Sequence, residues 1–131
     1  MFDEEERLTK SEEELMDLFW KNGGALTSVD IMNADREYSY KKGYTHIMLR
    51  SLQKKGMIEV CGMEQYNNKY ARQFRPTMTR EEYIARKIMS KCPDMKSVAR
   101  VTVTMAKEAD QKNREELVEE LKKMIEELEV N

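Results

Sequence analysis

The most constraining stretch of this chain runs from residue 8 to residue 83. There an amphipathic segment rich in lysine and arginine closes at Leu52-Gln53-Lys54-Lys55-Gly56 and gives way to two alternating runs. Glycine tolerates the left-handed conformation that ends a helix, and the two lysines ahead of it suit the negative end of the helix dipole. The pattern predicts a helix that opens after Ser39 and closes at Gly56. Within it Thr45, Met48, Leu49 and Leu52 recur at i, i+3, i+4 and i+7, the spacing of a face packed against other helices. At about 100° per residue the opposite face holds Gly43, Ile47, Arg50 and Lys54, flanked by His46 and Ser51, with Tyr44 nearer the buried edge.

Upstream, a first helix is expected from Thr9 or Ser11, carrying Leu15, Met16, Leu18, Phe19 and Trp20 and broken by Asn22-Gly23-Gly24. A second follows Thr27. Downstream, Met57 to Met63 and Tyr70 to Arg75 alternate as strands around an Asn67-Asn68 turn. Pro76 cannot donate to a ladder and ends the second strand, and Thr79-Arg80-Glu81-Glu82 is a capping box for a fourth helix toward Lys91. Three helices followed by a hairpin is the order of a winged helix-turn-helix, so the expected class is mainly α with a small β-hairpin. The division expected is 1–78 for the winged helix and 79–131 for a C-terminal helical region.

The outward face of the third helix combines two chemistries that read base edges. Arginine can span the O6 and N7 acceptors of guanine, and an exposed isoleucine can meet a thymine methyl. Candidate DNA-binding residues are Lys41, Lys42, Tyr44, His46, Ile47, Arg50, Ser51 and Lys54 on this helix, with Lys69 and Arg72 on the hairpin. Arg75 lies beside them, and all three hairpin cations are placed for phosphate oxygens, which give affinity rather than sequence choice. Ordinary solvated faces are the competing reading of both elements. Charge distribution favours DNA although the total of −2 does not. Residues 1–35 hold 3 basic and 10 acidic side chains, residues 36–100 hold 15 and 6, and residues 101–131 hold 5 and 9. A middle segment at +9 between acidic ends is the footprint of a phosphate-binding surface.

Several segments together resemble a known family. These are Leu8-Thr9-Lys10-Ser11-Glu12, Leu15-Met16, Leu18-Phe19-Trp20, Leu49-Arg50-Ser51-Leu52 with Lys55-Gly56, Phe74-Arg75-Pro76 and Glu81-Glu82-Tyr83. They look like the penicillinase repressor family of bacterial transcription regulators, over about two thirds of the chain. The resemblance implies a homodimeric repressor whose N-terminal winged helix binds a palindromic double-stranded DNA operator and whose C-terminal helices dimerise. The chain departs from the family at Tyr44 and Ile47, where members usually carry small hydroxylated residues, and at Ser51, where they carry arginine. Antibiotic-sensing members are cut between asparagine and phenylalanine, but none of Phe2, Phe19 and Phe74 follows an asparagine. Copper-sensing members carry paired cysteines near the C-terminus, whereas Cys61 and Cys92 here are isolated. The residues do not identify an inducer or upstream sensor.

Past Pro93, Ser97 to about Ala109 reads as a helix bearing Val98, Val101 and Met105, and Asn113 is expected to cap a last helix. Leu117, Leu121, Met124 and Leu128 repeat there at spacings of four, three and four, widened by Val118 and Ile125. A stripe of this kind must be covered, and a dimer interface is the favoured cover over packing within one chain. Adaptable packing accounts for most of the eleven methionines.

Enzymatic function is disfavoured. There is no glycine-rich phosphate loop, no ligand-spaced cluster for a metal and no nucleophile paired with a base, the one histidine lying on the basic face. No cofactor is expected, and both cysteines read as reduced and structural in a cytoplasmic protein without a membrane span. The alternative to a repressor is a winged helix used as a protein interaction module, with its basic face meeting an acidic partner.

Overall fold

The computed structural model describes residues 7–34 and 42–130, with only the backbone of residues 42 and 43. Ser39 and Lys41, both named above, lie outside the described residues. The first helix, α1 (Lys10–Asn22), starts where Thr9 and Glu12 satisfy each other. The Thr9 hydroxyl accepts the Glu12 N–H at 3.2 Å, and the Glu12 carboxylate accepts the Thr9 N–H at 2.9 Å. Gly23 closes the helix at φ 74°, a conformation that costs residues with a Cβ, and its N–H reaches the Phe19 carbonyl at 3.2 Å.

Leu26 then exchanges two backbone hydrogen bonds with Phe74, at 2.9 and 2.8 Å. A single bridging residue has no alternation, which is why the sequence did not announce this third partner of the hairpin. Thr27 caps α2 (Ser28–Asn33) through a second reciprocal box with Asp30. Helix α3 (Lys42–Lys54) follows, and Gly56, at φ 75°, turns the chain into the hairpin.

Strands β1 (Ile58–Tyr66) and β2 (Lys69–Pro76) pair antiparallel across Asn67, which takes the left-handed conformation at φ 54°. The first strand extends three residues past the expected Met63. A register slip between Val60 and Gly62 makes a bulge at Cys61, which changes the alternation beyond it. The Thr79 box starts α4 (Arg80–Lys91), as expected.

Burial follows the helix periodicity. Leu15, Met16 and Phe19 of α1, Ile31 of α2 and Met48, Leu49 and Leu52 of α3 share one core with Leu26, Met57, Ile58, Phe74 and Tyr83. Thr45 completes the inner face of α3. The chain divides into two compact units between Lys87 and Ile88. Residue 78 marks the end of the hairpin, but packing carries the first unit into α4, because Tyr83 is buried with its ring centroid 5.6 Å from that of Trp20. The Trp20 indole N–H also donates to the Met78 carbonyl at 3.0 Å.

The second unit contains α5 (Met95–Glu108) and α6 (Gln111–Val130). Helix α5 begins two residues before the expected Ser97, since Asp94 caps it by accepting the Ser97 N–H at 2.8 Å. The expected cap of the last helix is corrected in the same way. Asp110, not Asn113, is the capping side chain, accepting the Asn113 N–H at 2.9 Å. A carboxylate at the positive end of the helix dipole gains more than a neutral amide does. Arg114 then donates to the carbonyls of Ala106, Lys107 and Ala109 at 3.0, 3.0 and 3.3 Å, placing a cation on the negative end of α5.

Leu52 has no solvent exposure and stands where α3 meets the core. Leu52→Ala should destabilise the winged helix by roughly 2–5 kcal/mol through lost burial and a residual cavity. Urea unfolding followed through Trp20 fluorescence will check this.

Candidate nucleic-acid interface

Helix α3 has two chemically distinct sides. Its inner side is apolar and buried, whereas Tyr44, His46, Ile47, Arg50, Gln53 and Lys54 are exposed on the remainder. From Tyr38 through Ile58 the sequence contains no aspartate or glutamate. A helix with its core side filled and its outer side cationic is complete except for an anionic partner. Among the described residues, Arg50, Lys54, Lys69 and Arg72 have no ion-pair partner. Lys42 is the first residue of α3, and Lys41 lies just before the described part.

One member of the set and the cation beside it have partners within the chain. Ser51, expected on the DNA face, is half-buried and donates its hydroxyl to the Glu12 carboxylate at 2.7 Å, a tie between α1 and α3. The outward arc is narrower than periodicity indicated because Glu12, an acidic residue of α1, is buried against this edge of the helix. Arg75 pairs with Glu59 at 2.8 Å across the hairpin, which compensates its charge locally.

The wing is anchored by a residue that sequence reasoning missed. Tyr66, at the end of β1, places its hydroxyl 2.9 Å from the Thr27 hydroxyl and donates to Asp30 at 3.2 Å. The Thr27 hydrogen bond favours the phenolate, but loss of water and the negative charges of Asp30 and Glu64 outweigh it and raise the Tyr66 pKa above 10. These groups lie 36 to 39 positions apart, so no local signal reveals the contact. Lys69 and Arg72 are exposed on the wing, as are Met63 and Tyr70. The cross-strand pairs Met63↔Arg72 and Gln65↔Tyr70 put these last residues on one face.

The base of α3 is held by a buried carboxylate. Glu12 is only 3% exposed and accepts from Lys55 Nζ at 2.6 Å as well as from Ser51 and Thr9. Lys55 Nζ also donates to the Arg7 carbonyl at 2.7 Å. Burial pushes the Glu12 carboxyl up, yet the hydrogen bonds from Lys55, Thr9 and Ser51 and the Lys55 charge outweigh it and hold its pKa below the usual 4.5. Lys55, although basic and adjacent to Lys54, is thus a structural cation.

Taken by itself, the second unit presents the expected apolar stripe largely open. Val98, Val101, Leu117 and Leu121 are half-buried, and no residue of either helix is fully buried. Met105, Val118, Met124 and Ile125 are exposed, and Leu128 is 78% exposed.

A helix-turn-helix whose last helix offers a basic face with no ion-pair partner among the described residues, followed by an anchored hairpin, defines a winged-helix protein of the DNA-binding type, here with C-terminal helices appended. The penicillinase repressor family model matches residues 8–127, nearly the whole chain, and the chain belongs to that family. No curated protein matches it significantly. Members of the family are transcriptional regulators and not enzymes. No helix among the described residues is long and apolar enough to cross a membrane.

Because the folded-state pKa of Glu12 is depressed, its contribution to stability is complete above pH 4.5 and is lost as pH falls through the folded value. Glu12→Gln should cost roughly 1–3 kcal/mol near neutrality by leaving Lys55 uncompensated, and should flatten the acid limb of the stability profile. Urea midpoints measured from pH 7 down to about pH 3, below the ordinary carboxylate range, will show whether the two proteins converge in acid.

Proposed function

We propose that this chain is a transcriptional repressor that binds a palindromic operator as a homodimer in the bacterial cytoplasm. The observation that carries the reading is the outward face of α3, a cationic and carboxylate-free surface on a rigid helix. In a winged helix of this family that helix enters the major groove, with Tyr44, His46, Ile47, Arg50 and Lys54 directed to the bases, and Lys41 and Lys42 belong to the same set as cations for phosphate. Lys69 and Arg72 on the wing neutralise phosphates beside it. Residues 1–78 supply the DNA contacts, and within residues 79–131 it is α5 and α6, past the α4 that packs with the first unit, that supply the dimer.

Dimerisation is supported by the apolar stripe that one chain leaves open. Val98, Val101, Met105, Leu117, Val118, Leu121, Met124, Ile125 and Leu128 form the surface, and a second copy of the same stripe covers it in a two-fold arrangement. Two winged helices held together match a two-fold operator, and joining them raises affinity well above that of one half-site.

DNA titrations over a range of salt concentrations test the reading, since each neutralised phosphate adds about one unit to the slope of log K against log salt. Arg50→Ala should weaken operator binding by about 1–3 kcal/mol and leave binding to random duplex nearly unchanged, whereas Lys69→Ala should weaken both alike. No binding to any duplex would identify the basic face as a protein-docking surface instead. Ile125→Lys, at a position half open in the single chain, should give monomers in sedimentation with helical content kept, and operator affinity should fall with the dimer. A variant that stays dimeric would place the interface elsewhere.

A further inference from the structure

We propose that Ile47 selects thymine in the operator by burying the C5-methyl group of the base against its own side chain. This inference rests on the DNA-binding reading above and names the base chemistry that the reading leaves open. Ile47 is 59% exposed in the middle of α3, and Tyr44, one turn earlier, is 45% exposed. The core side of the helix is already filled by Thr45, Met48, Leu49 and Leu52, and Ile47 is no part of the core that the described residues form. A β-branched residue at an exposed helix position loses side-chain freedom and leaves apolar surface in water, with no return from the fold itself.

The surroundings identify the occupant. Arg50 lies one turn beyond Ile47 and Lys54 one turn beyond that, both exposed and without an ion-pair partner among the described residues. An apolar protein patch would cover Ile47 and Tyr44 but would leave these cations uncompensated. The major groove of a duplex offers both chemistries: phosphates along its edges and, on its floor, the methyl group of thymine as its apolar feature. The rise from Ile47 to Arg50 is roughly 4.5 Å along the helix axis. Base pairs are stacked about 3.4 Å apart. A half-site read by this row therefore carries a thymine within one or two steps of the guanine that Arg50 spans. Ile47 is rigid about χ1, so it meets the methyl at one fixed place and discriminates against cytosine, whose C5 carries only hydrogen there, beside the polar N4 amino group.

The experiment replaces thymine by deoxyuridine, which removes the methyl and leaves the base-pairing edge intact. Full-length protein first selects its sites from a random duplex pool. Each thymine of the selected half-site is then changed to deoxyuridine symmetrically, and Kd is measured for the parent chain and for Ile47→Ala. One position should exist at which the parent loses about fourfold per half-site. At that position Ile47→Ala should bind both duplexes equally, with an unchanged circular dichroism spectrum. Sequence-specific binding by the parent that is indifferent to deoxyuridine everywhere overturns this proposal alone. So does an Ile47→Ala protein that keeps the full difference. A parent chain that enriches no sequence and binds no duplex overturns the DNA-binding reading, and this proposal with it.

Discussion

The buried carboxylate of Glu12 is the interaction on which the geometry of the winged helix turns. One of its oxygens accepts from the Thr9 N–H and from Lys55 Nζ, and the other accepts from the Ser51 hydroxyl. The same side chain therefore caps α1 at its first turn and ties the last turn of α3 to it. Removing a carboxylate from water is costly, and only a full set of donors compensates for it. That requirement permits one approach of α3 to α1, which fixes the direction of its outer face. Core contacts of Met48, Leu49 and Leu52 supply the stability, but apolar packing tolerates small rotations that this polar cluster does not.

A second set of polar contacts does the same for the wing. A hairpin extending from a small core is marginal alone. Here its base is joined to Leu26 by two backbone bonds and its far end is held by Tyr66 on the capping box of α2. Thr27 and Asp30 also satisfy the start of that helix, so the same two side chains serve both the cap of α2 and the wing. The outer face of α3 and the cations of the wing consequently belong to one braced framework, as recognition of a duplex with fixed groove dimensions requires.

The C-terminal unit has the opposite character. Its helices are well capped by Asp94 and Asp110, and Arg114 neutralises the turn between them. Local determinants thus make both helices, yet two helices cannot enclose an apolar stripe by themselves. Good capping with little burial is the combination expected of a segment that is ordered locally and completed by association.

Much of this was legible in the sequence because the determinants are local or periodic. Thr79 with Glu82, Gly23 and Gly56 are signals within one turn of chain, and the inner face of α3 is a repeat that core packing enforces. The order of three helices and a hairpin follows from them, as does the concentration of positive charge in the middle of the chain. What sequence alone left undecided involves partners far apart in the chain. Helical spacing placed Ser51 at the edge of the outward arc, and only the approach of Glu12, 39 residues away, turned it inward. Lys54 and Lys55 are neighbours of identical type and charge, yet one faces solvent and the other closes an ion pair. Tyr66 gained its role from the folding of β1 back onto α2, and Asp110 displaced Asn113 as a cap because helix ends compete over a few residues for the better acceptor. Periodicity determines which side of an element is apolar, whereas the polar partners it meets are settled only when the elements pack and each buried charge or hydroxyl must find its donor or acceptor.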